Sequence, residues 1–67
     1  MDYKLLGKNI KEARKSLKMT QEQLAEQIDV STVFISQIEN GSRKPSLETI
    51  YKISIALKIK IDTLINN

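Results

Sequence analysis

The sequence predicts an all-α fold: a compact domain of five short helices spanning residues 1–67. Two observations carry that prediction. Apolar residues recur at spacings of three and four, the period of one helical face, beginning with Leu6, Ile10, Ala13 and Leu17. Two short amphipathic segments then lie on either side of a tight break at Asp29, each with its own helix-start signal. The sequence contains no repeats, low-complexity tracts or linkers that would divide it.

Residues 3–18 read as helix 1, with Lys4, Lys8, Lys11, Lys15 and Lys18 off the apolar stripe and Arg14 beside it, partly enclosed. Helix 2 opens at Thr20. Thr20 and Gln23 form a T-x-x-Q capping box, Met19 and Leu24 occupy the positions of a hydrophobic staple, and Leu24, Ala25 and Ile28 face inward. Ser31 is the N-cap of helix 3, with Val30 and Ile35 as its staple. Ile35 and Ile38 point to the core, so Thr32, Val33, Ser36 and Gln37 share the opposite face. Asn40-Gly41 stops that helix, because glycine adopts a left-handed backbone at no steric cost. Pro45 ends the loop and Ser46 caps helix 4, whose apolar stripe is Leu47, Ile50, Ile53 and Leu57. Ile59, Ile61, Leu64 and Ile65 mark a short last helix, with Asp62 near its positive end.

Size and composition exclude several functions. A chain of 67 residues buries only about 60% of its unfolded surface, too little for an enzyme with a deep pocket. It has no cysteine and no histidine, which removes disulfides, thiolate metal sites, the commonest general base and the commonest nitrogen ligand. No cofactor, metal or small-molecule ligand is expected. No apolar run reaches the roughly 20 residues of a membrane span, and no signal-peptide stretch opens the chain. The expectation is an untargeted cytoplasmic protein; whether the chain is complete or an N-terminal domain stays open, the apolar tail fitting a complete protein better.

The net charge of +3 matters less than its placement. Residues 1–19 hold six Lys/Arg against two acids, whereas residues 20–40 hold four acids, Glu22, Glu26, Asp29 and Glu39, and no base. Arg43 and Lys44 follow at once. Two short helices at a fixed angle, the second able to enter a DNA major groove, constitute a helix-turn-helix, here over about residues 20–40. Attraction to phosphate must then come from the flanks, above all from the loop at 41–44.

The stretches TQEQLAEQ, FISQIENGSRKPSLETI and KIDTL resemble the Xre family, the helix-turn-helix family of phage repressors and Cro proteins, and the likeness covers nearly the whole chain. The resemblance implies a repressor-like five-helix fold and a set of roles. Gln21 matches a glutamine that braces the DNA backbone and contacts the recognition helix. Thr32, Val33, Ser36 and Gln37 match positions that reach base edges. Ser31, Asn40, Ser42, Arg43 and Lys44 match positions that touch phosphates, partly through backbone N–H groups. Arg14 and Glu39 match a partly buried ion pair between helices 1 and 3. Side-chain chemistry supports part of this independently. The Gln37 amide suits the N6/N7 edge of adenine, Thr32 and Val33 can present methyl groups to thymine, and Ser36 can bond to several bases. With no arginine on that face, an A/T-leaning half-site is expected.

The chain departs from the family at three places. Asp29 stands where glycine usually makes the turn, and Lys58 where glycine commonly closes helix 4, which leaves the approach of the last helix open. Ile55 occupies a site often polar in relatives; with Tyr51 it makes an apolar stripe that is either buried under the tail or a dimer surface. The expected mechanism is a homodimer on a roughly palindromic operator, acting as a transcriptional regulator, most simply a repressor. Residues 57–67 form the dimerisation segment, and the candidate interface is Tyr51, Ile55, Ile59, Ile61, Leu64 and Ile65. The alternative is a protein-interaction module, an antitoxin or antirepressor, which the net-acidic motif favours.

Overall fold

In the computed structural model, which describes residues 1–66, the chain runs through α1 (Tyr3–Ser16), α2 (Gln21–Ile28), α3 (Thr32–Glu39), α4 (Leu47–Leu57) and α5 (Ile61–Asn66). Four starts are capped by side chains. The Asp2 carboxylate accepts from the Leu5 N–H, Ser31 Oγ from Phe34 N–H and Ser46 Oγ from Thr49 N–H, each relieving a helical donor that has no partner in its own helix. At α2 the capping box is complete in both directions: Gln23 N–H donates to Thr20 Oγ1 and Thr20 N–H donates to Gln23 Oε1.

Leu6, Ile10, Leu24, Ala25, Ile28, Ile35, Ile38, Ile50, Ile53, Leu57 and Leu64 form one buried cluster. α1 lies across α3 and α5, α2 packs on α3 and α4, and α5 closes against α1 and α4. Asn9 Nδ2 donates to the Leu64 carbonyl at 2.9 Å and fixes α5 on α1. No helix among the described residues is long and apolar enough to cross a membrane.

The two departures from glycine are accommodated without it. Asp29 (φ 59°) and Lys58 (φ 56°) both take the left-handed conformation, so α2 and α4 end as a glycine would end them. That conformation costs a residue with a Cβ roughly 1–2 kcal/mol, less for aspartate than for lysine.

Three sequence expectations need correction. Helix 1 stops at Ser16, and Leu17 is 45% exposed at its C-cap. Lys18 turns the chain with φ 56°, and Met19 packs on the core in place of Leu17. Leu47 is 67% exposed and does not belong to the inward stripe of α4, which is Ile50, Ile53 and Leu57. It shares an outward row at four-residue spacing with Tyr51 and Ile55, both exposed, so that row is not covered by the tail. Leu64, a candidate for the dimer surface, has no exposed area and is core. Ile59, Ile61 and Ile65 are partly buried against the core, and Asn67, the end of the expected dimerisation segment, lies outside the described residues.

Candidate nucleic-acid interface

α3 has eight residues, about 12 Å of helix at 1.5 Å per residue, and a helix with its side chains is about 10–12 Å across, close to the width of the B-DNA major groove. Ile35 and Ile38 anchor its inner face. On the outer face Thr32 and Val33 are exposed, and Ser36 and Gln37 half-buried. The four lie at i and i+4, so the structure brings them onto one surface, as the spacing requires.

The inner side of α3 is held by a buried polar network. Arg14 Nε donates to Glu39 Oε2 at 2.6 Å and Nη2 to Oε1 at 3.0 Å, a two-pronged ion pair with both side chains buried. Arg14 Nη1 donates to the Met19 carbonyl at 2.7 Å, and Gln21 Nε2 to Glu39 Oε1 at 3.0 Å. Three helices therefore meet at one carboxylate, and Gln21 contacts the last turn of α3. Among the described residues no buried side-chain polar atom lacks a partner. Such a pair adds little net stability, but removing one partner strands a charge.

Beyond α3 the loop folds back on the helix end. Gly41 has φ 81°, and the Gln37 carbonyl accepts from Ser42 N–H (3.0 Å), Arg43 N–H (3.2 Å) and Ser42 Oγ (3.3 Å). Asn40 Oδ1 also accepts from Ser42 N–H. The N–H groups of Ser42 and Arg43 are thus both bonded to the last turn of α3. The side chains of Ser31, Asn40, Ser42, Arg43 and Lys44 are all on exposed residues.

Periodicity alone assigns no role to Gly7, Tyr3 or Phe34. A Cβ on Gly7 would lie 2.2 Å from the Ile38 carbonyl oxygen and 2.7 Å from that of Glu39, so glycine is what allows α1 to reach the end of α3. A lone glycine inside a well-formed helical period is the signal that could have found it. Phe34 and Tyr3 each carry a cation over the ring: Arg43 Cζ at 5.2 Å and Lys44 Nζ at 5.7 Å from the centroids. Tyr3 and Lys44 are far apart in sequence, Phe34 and Arg43 much less so, and the folded loop sets both pairs.

Known proteins match this arrangement. The Helix-turn-helix family model matches residues 10–64, more than half of the chain. The ImmF control region 10 kDa protein of Bacillus phage phi105 is 34% identical over 64 residues, covering 96% of this chain and 71% of that protein. The immunity repressor protein of the same phage is 37% identical over 60 residues, 90% of this chain, and here the chain spans only 42% of the relative's length. Among solved structures, the restriction-modification controller protein C.AhdI from Aeromonas hydrophila superposes with a TM-score of 0.89 at 30% identity, covering 94% of this chain and 96% of that one. The chain belongs to the Xre-like helix-turn-helix family, the family of phage-repressor and Cro-like DNA-binding regulators.

Proposed function

We propose that the protein is a sequence-specific transcriptional regulator, in the first instance a repressor, that binds a roughly palindromic operator in the cytoplasm as a homodimer. α3 enters the major groove. Thr32, Val33, Ser36 and Gln37 meet base edges, while Gln21, Ser31, Asn40, Ser42, Arg43 and Lys44 hold the phosphates and set register. The observation that carries this reading is the outer face of α3: four short or planar side chains on a helix anchored by Ile35, Ile38 and the Glu39 network.

Dimensions support the dimer on such an operator. The longest extent of the chain is 25 Å, whereas equivalent major-groove half-sites lie about 34 Å apart, so one copy cannot read two. The exposed row Leu47, Tyr51 and Ile55, with Ile59 and Ile61 beside it, supplies an apolar surface for the second copy.

Selection of bound duplexes from a random DNA library, with Gln37→Ala in parallel, tests the reading. The expected result is a palindromic, A/T-leaning motif that relaxes at one base pair per half-site in the variant, a loss of about 1–3 kcal/mol of discrimination there. Salt-sensitive binding without an enriched motif, together with a stoichiometric protein partner, would instead identify an antitoxin or antirepressor. The absence of any base from residues 20–40 makes that the second reading.

A further inference from the structure

The loop cations are not free-swinging, and the first turn of α1 lies beside them. Arg43 rests over Phe34 of α3, and Lys44 over Tyr3 of α1, each within cation–π range. Both rings are half-buried, and Phe34 and Tyr3 pack against the core, so they are fixed platforms under exposed charges. Lys4 stands at the same place: a Cβ on Gly41 would lie 2.7 Å from Lys4 Cγ and 3.1 Å from its Cα. Its exposed side chain adds a third cation to the loop's two. Acids dominate the adjacent motif, so this trio is the concentrated positive charge next to α3.

We propose that Lys4, Arg43 and Lys44 form one DNA-backbone clamp, in which Lys4 is a phosphate contact and Phe34 and Tyr3 are positioning residues that aim the other two cations. The inference rests on the DNA-binding reading above and extends it to the start of α1. A lysine or arginine on a flexible stem loses rotamer freedom when it grips a phosphate. A ring that already holds the charge in place removes part of that cost before DNA arrives. The clamp touches no base, so it acts alike on all sequences.

The test therefore uses a mixed-sequence duplex as probe, with affinity measured across a salt series. Lys4→Gln should weaken binding and lower the slope of log K against log salt by about 0.9, the counterion release of one phosphate contact. Phe34→Leu keeps an apolar side chain against the core while removing the ring. It should cost about two- to fivefold in affinity, the effect of an exposed cation–π contact. In an Arg43→Gln background that loss should vanish, whereas a merely structural role for Phe34 would cost the same in both. Tyr3→Leu against Lys44→Gln repeats the cycle at the second platform. Thermal melts of each variant identify any that has lost its fold, and Phe34→Tyr, which restores a ring, should recover wild-type affinity. An unchanged salt slope in Lys4→Gln, or equal losses with and without Arg43, would overturn the clamp while leaving the DNA-binding reading intact. A wild-type protein that binds no duplex at any salt would overturn both.

Discussion

Gly7→Ala is a severe test of how α1 meets α3. In an isolated helix the substitution is favourable, by about 1 kcal/mol. In this fold the new Cβ would lie 2.2 Å from the Ile38 carbonyl oxygen. Real Cβ atoms essentially never come closer than 3.0 Å to such an atom, so α1 must withdraw by about 0.8 Å, the difference of the two. The obstacle is backbone, which cannot rotate away. A gap of that size forfeits a quarter to a half of the dispersion attraction across a contact. The neighbouring buried Leu6 and Ile10 would share the loss, and the 2.6 Å Arg14–Glu39 bond would stretch. Overpacking of this kind costs about 1–3 kcal/mol, more when backbone is the obstacle. Because backbone is the obstacle the upper end of that range applies, and after the propensity gain a net loss of about 2 kcal/mol remains. Against a total stability of about 3–10 kcal/mol for a chain of this length, the change is large. Urea denaturation followed by circular dichroism is the assay. With a slope of about 1 kcal/mol per molar for so small a protein, the midpoint should fall by about 2 M. An unchanged or raised midpoint would refute the close approach, and with it the account of how α3 is held.

Three further outcomes follow from the structure. Glu39→Ala strands the buried Arg14 guanidinium and releases Gln21; a loss of about 3–5 kcal/mol is expected, read as a urea midpoint near or below zero at the weak end of stability. Lys58→Gly removes the cost of a left-handed lysine (φ 56°), partly offset by the greater freedom of glycine in the unfolded chain. The melting temperature should rise by about 4–8 °C for a net gain of about 1 kcal/mol, and a fall would mean that Lys58 does not end α4 in this conformation. Ile55→Lys places a charge in the exposed row of α4, so sedimentation should show a monomer with unchanged helicity; a persistent dimer would place the interface elsewhere.

Local chemistry made much of the fold legible beforehand. The caps at Thr20, Ser31 and Ser46 stand where the sequence puts them, because a hydroxyl followed three residues on by a free backbone N–H is a local arrangement. The same periodicity that locates Leu6 and Ile50 misplaces Leu17 and Leu47. A stripe counts every apolar residue at the right spacing, but at a helix end the chain has already turned away from the core. At the interface, the face shared by Thr32, Val33, Ser36 and Gln37 followed from spacing, whereas the capture of the Ser42 and Arg43 N–H groups by the Gln37 carbonyl did not.

What depends on neighbours along the chain was legible in advance: five helices, the caps at Thr20, Ser31 and Ser46, the break at Asp29 and the outward face of α3. Tertiary structure decided what depends on approach between distant segments. Gly7 became the contact point of two helices, and Glu39 the meeting place of three. Leu64 left the surface for the core, and Tyr3 and Phe34 came to lie under cations from another loop. Helix propensity and capping act within a few residues, whereas close packing and charge pairing act through space, and a linear pattern contains only the first.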